Sequence, residues 1–120
     1  MANRDAAYGG FVVSDRVLEG APIGYAWRER SRIPQLNGWT VCSVADDDDY
    51  VSEPANFQVV SASSLLACSP LAGALLEVFD APCGTDLAWA YEEGVLTGFW
   101  DVARDRATTV PEILGGGQAV

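Results

Sequence analysis

The chain has 120 residues, with seventeen acids against seven bases, all of them arginine, and a formal net charge of −10. With no histidine, Ser-His-Asp and Cys-His nucleophilic catalysis and His-ligated metal sites are excluded, and with no lysine there is no Schiff base. The negative charge opposes nucleic-acid and anionic-membrane binding, because phosphates are repelled, and it either steers toward a positively charged partner or serves solubility alone.

This length suits one domain, and 49% hydrophobic residues with four Trp, four Tyr and four Phe supply a real core. No run approaches the roughly 18 apolar residues of a membrane helix. The opening "MANRDAAYGG" lacks the apolar stretch of a signal peptide, so a cytoplasmic location is expected. Cys42, Cys68 and Cys83 are odd in number and show no CxxC spacing, which reads as reduced, partly buried thiols.

In chain order, "GGFVVS" (9–14) is the first predicted strand, a β-branched and aromatic run entered through two glycines. "SDRVLEGAP" adds a helical turn or loop, with Ser14 or Asp15 as cap. "IGYAWRE" (23–29) alternates Ile23, Tyr25 and Trp27 against Gly24, Ala26 and Arg28, the period of a half-buried strand. "RSRIPQLNG" is a connection, with Pro34 and Asn37-Gly38 as turn signals. "WTVCSV" (39–44) and "FQVVS" (57–61) are the next strands.

In "SASSLLACSPLAGALLEVFDAP", serine caps precede leucines, and Pro70 breaks one long helix while suiting the first position of a second one capped by Ser69. Leu71, Leu75, Val78 and Phe79 fall on one helical face. "TDLAWAYEEGVLTGFWDV" returns to strand character: Leu87, Trp89 and Tyr91 share a face, and Glu93-Gly94 is a hairpin turn. The expected fold is α+β, a mainly antiparallel sheet of about five or six strands with one or two helices (residues 62–79) on one face. The expected organisation is a single domain over 1–120, with a core over 9–90, an extra hairpin over 91–110 and a tail over 111–120 that its triple glycine leaves mobile.

The most unusual stretch is "WTVCSVADDDDYVSEPANFQVV", in which four consecutive aspartates lie between two predicted strands. A calcium loop needs ligands on alternate residues and a central glycine, and Tyr50 and Val51 stand where a ligand and the glycine belong. No metal or cofactor is therefore expected. A carboxylate-based hydrolase survives the screen, but seventeen acids make acid pairs unavoidable by chance, so no catalytic residue is assigned. Two readings of the run remain, a solvated turn and a recognition loop. Tyr50, Pro54, Ala55 and Asn56 bound and shape the run, and its place between strands is where binding residues are displayed. Arg28, Arg30 and Arg32 alternate in "WRERSR", either as an anion contact or as internal partners for the acids. Trp27 and Trp39 are candidate interface anchors at a sheet rim.

"GGFVVSDRVLEG", "IGYAWRE", "NGWTVCS", "DDDDYVSEPANFQVV" and "LLEVFDAPCGTDLAW", in that order, resemble the type-33 immunity-protein domain of bacterial polymorphic toxin systems. That domain was first catalogued as one of unknown function. The resemblance covers about residues 9–90. It implies a non-enzymatic cytosolic protein that binds and neutralises a cognate toxin, and it carries no catalytic residues over. Many toxin nucleases are basic because they grip phosphates, so an acidic inhibitor suits them. The residues expected to meet the toxin are Asp46, Asp47, Asp48, Asp49, Tyr50 and Glu53, with Trp27 and Arg28 beside them. The protein is expected as a monomer or weak homodimer. The alternative is a regulatory or housekeeping protein-binding domain.

Overall fold

The computed structural model describes residues 8–115. The chain opens with β1 (Gly10–Ser14) and a single helical turn, α1 (Asp15–Leu18), followed by β2 (Ile23–Arg28) and β3 (Leu36–Ser43). The aspartate segment holds α2 (Asp48–Val51) and a 3-10 turn (Pro54–Asn56) that leads into β4 (Phe57–Val60). Two helices follow, α3 (Ala62–Cys68) and α4 (Ala72–Glu77). The chain then forms β5 (Asp86–Glu92), β6 (Val95–Asp101), β7 (Arg106–Thr108) and α5 (Val110–Gly115).

Among the described residues seven strands make one sheet in the order β4-β1-β3-β2-β5-β6-β7. β1 and β3 run parallel, and every other neighbouring pair is antiparallel. The fold is therefore α+β, as the alternation and the leucine face imply, with one short strand beyond the expected number.

Strand periodicity sorts side chains onto two faces. One face carries Phe11, Val13, Trp39, Val41, Leu87 and Trp89, all buried. Helices cover it with Val17, Leu65 and Leu75, and Val78, which closes α4, joins them, each fully enclosed. Burying each such side chain contributes about 1.5–3 kcal/mol. T-shaped contacts join Tyr8 to Phe79 at 4.7 Å and Trp89 to Phe99 at 5.2 Å. Among the described residues only the single turn of α2 lies over the other face of the sheet.

Local chemistry explains most boundaries. The Ser14 hydroxyl accepts from the Arg16 amide and caps α1. Glu93 and Gly94 both take positive φ (52° and 81°), so the β5–β6 hairpin turns through the expected two residues. Three expectations are corrected. Ser69 does not cap the second helix: it closes α3, its amide bonding to the Leu65 carbonyl at 2.8 Å, and α4 begins at Ala72 without a side-chain cap. Pro70 sits in the turn between them, where its missing N–H costs nothing. Asn37 and Gly38 lie inside β3, and the connection turns at Pro34-Gln35 instead. Residues 110–115 are helical, with Ile113 buried in the core; the rest of the expected tail, 116–120, and the expected peripheral residues 1–7 lie outside the described residues.

Gly38 is in the strand for a steric reason. Its φ is +92°, and a Cβ there would lie 2.1 Å from the Glu29 carbonyl oxygen, inside any allowed contact. The same carbonyl stretch pairs the ends of β2 and β3 through the Glu29 amide and Gly38 oxygen at 2.9 Å. Gly38→Ala is expected to destabilise the fold by at least about 2 kcal/mol, read as a lowered urea midpoint, because both the φ and the close approach are violated.

Candidate functional site

The aspartate segment is ordered, and the first of its acids is the reason. As β3 ends, the chain turns so that the Asp46 side chain folds back. Its Oδ2 accepts from the Ser43 amide at 2.8 Å and its Oδ1 from Arg16 Nη1 at 3.2 Å. Asp46 thus differs from the displayed acid expected of it: its side chain has 0% exposure. Burial opposes its charge, but bonds from the Ser14 hydroxyl, the Ser43 amide and hydroxyl, and the Arg16 guanidinium outweigh that, so its carboxyl sits below the ordinary carboxylate range. Arg16 also donates to the Ala45 carbonyl at 2.9 Å and stacks 4.1 Å from the Tyr50 ring centre.

The remaining residues of the run build a short folded protrusion. Asp47 caps α2, its Oδ1 accepting from the Tyr50 amide at 2.8 Å. Asp48 and Asp49 occupy the first helical turn, where the helix dipole favours negative charge and offsets part of their repulsion. Glu53 caps the 3-10 turn through the Ala55 amide at 3.1 Å, and Asn56 Nδ2 donates to the Tyr50 carbonyl at 3.0 Å. Tyr50 lies between Arg16 and Phe57, with 6.3 Å between the two rings. Asp47, Asp48 and Asp49 are exposed, and no ion pair among the described residues engages them.

Trp27 and Arg28 are adjacent on β2 and so point to opposite faces. Arg28 enters the helix side, where it donates to the carbonyls of Phe79 (2.6 Å), Ala81 (2.9 Å) and Asn37 (3.1 Å) and lies 5.1 Å from the Phe79 ring centre. It ties the sheet to the end of the helical segment and makes no ion pair with the aspartates. Arg30 and Arg32 are exposed on the following loop.

Trp27 points to the uncovered face. The strand register sets a row across that face, Val59–Val12–Thr40–Trp27–Asp86, and beside it a second, Cys42–Tyr25–Ala88–Trp100–Ala107. A bulge between Ile23 and Tyr25 splits the expected grouping: Tyr25 and Trp27 stay together, opposite Ala26 and Arg28, but Ile23 leaves them for the core face. Ile23 is buried in the core, whereas Tyr25 is 42% exposed on the open face. α2 stands over this face. On one side of it lies a cleft of about 810 Å³ between Tyr25, Trp27 and Val51 and the acids Glu29, Asp47, Asp48 and Asp86. On the other side a smaller apolar cleft of about 330 Å³ runs along Val12, Thr40, Phe57 and Val59, with Trp27 and Val51 shared between the two.

Two groups near the larger cleft are shifted. Burial, then the charge of Asp101, raise the Asp86 carboxyl above its ordinary value. Burial, then Asp46, push the Cys42 thiol up to about 12, which keeps it an inert protonated sulfur. Tyr25, Asp86 and Trp100 are the features the sequence reading did not single out. Only the strand register, which brings Trp27 beside Asp86 and Ala88 beside Tyr25 and Trp100, assembles them.

These features define a small α+β domain whose sheet presents exposed aromatic residues on one face, with the exposed Asp47, Asp48 and Asp49 on the turn above it. The chain belongs to the Imm33 family: the model of the immunity protein Imm33 domain matches residues 11–98. The match runs past residue 90, through the β5–β6 turn and into β6. No curated protein and no solved structure matches the chain significantly.

The two kinds of aspartate separate in a stability measurement. Asp46→Asn is expected to cost about 1–3 kcal/mol in urea denaturation near neutral pH, whereas the joint change of Asp47, Asp48 and Asp49 to Asn stays within about 0.5 kcal/mol. Because the folded Asp46 carboxyl is lowered, its contribution is complete above the unfolded value of about 3.9 and is lost as pH falls through the folded value. The difference between Asp46→Asn and the wild type is therefore expected to shrink as unfolding is repeated at successively lower pH below about 4.

Proposed function

We propose that this protein is an immunity protein that neutralises a cognate toxin domain by direct contact, with its acidic protrusion laid against a basic surface of the toxin. The family supports the immunity role. The observation that carries the acidic contact is the state of Asp47, Asp48 and Asp49: exposed, without an ion pair among the described residues, and held on a folded turn. Charges already fixed in place lose little freedom on binding, so more of their attraction is available to the complex. Tyr50 and Glu53 shape the protrusion, and Trp27 lies at its foot. Asp46 and Arg28 act one layer below, as its anchor and as a brace of the sheet.

Inhibition then requires no turnover. A net charge of −10 accelerates encounter with a cationic partner, and docking occludes the partner's working surface. A basic nuclease surface suits this mechanism, because the carboxylates stand where phosphates would otherwise bind.

The test first identifies the cognate toxin domain by co-purification with the products of adjacent genes, inactivates it by mutation, and then measures stopped-flow association over a range of salt. Changing Asp47, Asp48 and Asp49 together to Asn, which preserves the Asp47 cap, is expected to slow association roughly tenfold at low salt and to flatten its salt dependence. Association rate and salt slope equal to those of the wild type would exclude the aspartates from the contact.

A further inference from the structure

Among the described residues one face of the sheet carries only the single turn of α2, and that face is neither polar nor flat. Tyr25 and Trp100 are 42% and 41% exposed, Val59 is 61% exposed, and Trp27 forms the floor between two clefts. Aromatic side chains held this way on a rigid sheet are the usual anchors of protein contacts, since they offer large area at small entropic cost.

The larger cleft adds a charge requirement. Its acids are Glu29, Asp46, Asp47, Asp48 and Asp86, and of these Asp46 alone is in an ion pair among the described residues, with Arg16. The arginine at its edge, Arg28, is turned to the other face and spent on three carbonyls. Asp47 and Asp48 at the start of α2 thus stand across the cleft from Trp27 and Tyr25, while Glu29, whose Oε2 accepts from Trp27 Nε1 at 3.2 Å, and Asp86, paired with Trp27 across the strands, lie beside the rings. A guanidinium or ammonium group satisfies both walls at once, through ion pairs on the acid side and cation–π contact on the aromatic side. A volume of about 810 Å³ takes such a side chain together with the backbone that carries it. A bare metal ion is a poorer match, because among the described residues no group of three or more acids or thiols is placed to hold one. A second copy of this chain is a poorer match too, because it brings the same acidic rim and a charge of −10.

We propose that the open sheet face is the docking floor for the toxin, and that the cleft between Trp27 and α2 receives an arginine or lysine side chain projected from it. This deepens the immunity reading and rests on it for the identity of the partner. The elevated carboxyl of Asp86 is consistent with a site completed by a cation. The apolar cleft beyond Val51 then packs the neighbouring uncharged part of the same toxin segment, so the two clefts read as one footprint on either side of α2.

Two measurements test the proposal separately from the immunity reading. In calorimetry with the inactivated cognate toxin domain identified as above, Trp27→Leu and Tyr25→Ala are each expected to weaken binding at least about 30-fold, while Glu77→Gln on the helix-covered side leaves it unchanged. In the second, an acetylated (Gly-Arg)4 peptide is titrated into the wild-type protein alone while its four indole N–H signals are followed. The Trp27 signal is expected to move and those of the buried Trp39 and Trp89 to stay, with the shift reduced in Asp48→Asn and Asp86→Asn. If the toxin binds but both aromatic variants bind like the wild type, the docking floor is wrong and the immunity reading stands. If wild-type protein does not bind the toxin, the immunity reading and the toxin docking fall together; a Trp27 shift then leaves only the cation cleft standing, and no shift removes that also. If instead the protein is a dimer whose Trp27 signal responds to Arg30→Ala or Arg32→Ala, the occupant is a second copy and the toxin assignment is overturned.

Discussion

Where β3 leaves the sheet, the buried Asp46 carboxylate binds the Ser43 amide and the Arg16 guanidinium, and the rest of the site depends on that junction. Arg16 belongs to α1, which is fixed in turn by the Ser14 cap and the buried Val17. The carboxylate therefore joins the end of one strand to the helix that follows another. Removing it would leave a buried amide and a cation without their acceptor, and the segment beyond would lose its fixed point. Because Asp46 is neutralised and held, Asp47, Asp48 and Asp49 emerge from an ordered base.

One run of four like residues is thus divided by burial. Asp46 has its charge compensated inside the protein. The next three keep theirs exposed, with only the α2 dipole and an amide of the backbone to offset their repulsion. Tyr50, Pro54 and Asn56 complete the division. The Tyr50 ring packs on Arg16, its carbonyl takes a bond from Asn56, and Pro54 starts the 3-10 turn that returns the chain to β4.

Much of this was legible in the sequence, and the exceptions have physical causes. Strand positions, the hairpin at Glu93-Gly94 and the helical face through Leu75 and Val78 followed from period and turn chemistry, because each is decided by residues close together. The bounded character of the aspartate run was also readable from Tyr50, Pro54 and Asn56. The burial of Asp46 was not, since its partner Arg16 is thirty residues away and only tertiary packing brings them together. The grouping of Ile23 with Tyr25 and Trp27 failed for a local reason, since one bulge after Ile23 leaves it on the core face while Tyr25 and Trp27 share the open one. The cleft acid Asp86 was invisible because it is set beside Trp27 by the pairing of β2 with β5, some sixty residues apart in sequence.

Carboxyl footprinting tests the central claim most directly: labelling with a carbodiimide and an amine, with and without the bound inactivated toxin domain. The account predicts that Asp47, Asp48, Asp49 and Asp86 label in the free protein and lose most of that labelling in the complex. Asp46 stays unlabelled in both, and Glu77 labels equally in both. Equal labelling of Asp47, Asp48 and Asp49 with and without bound toxin would contradict it, because the protrusion would then be facing solvent in the complex.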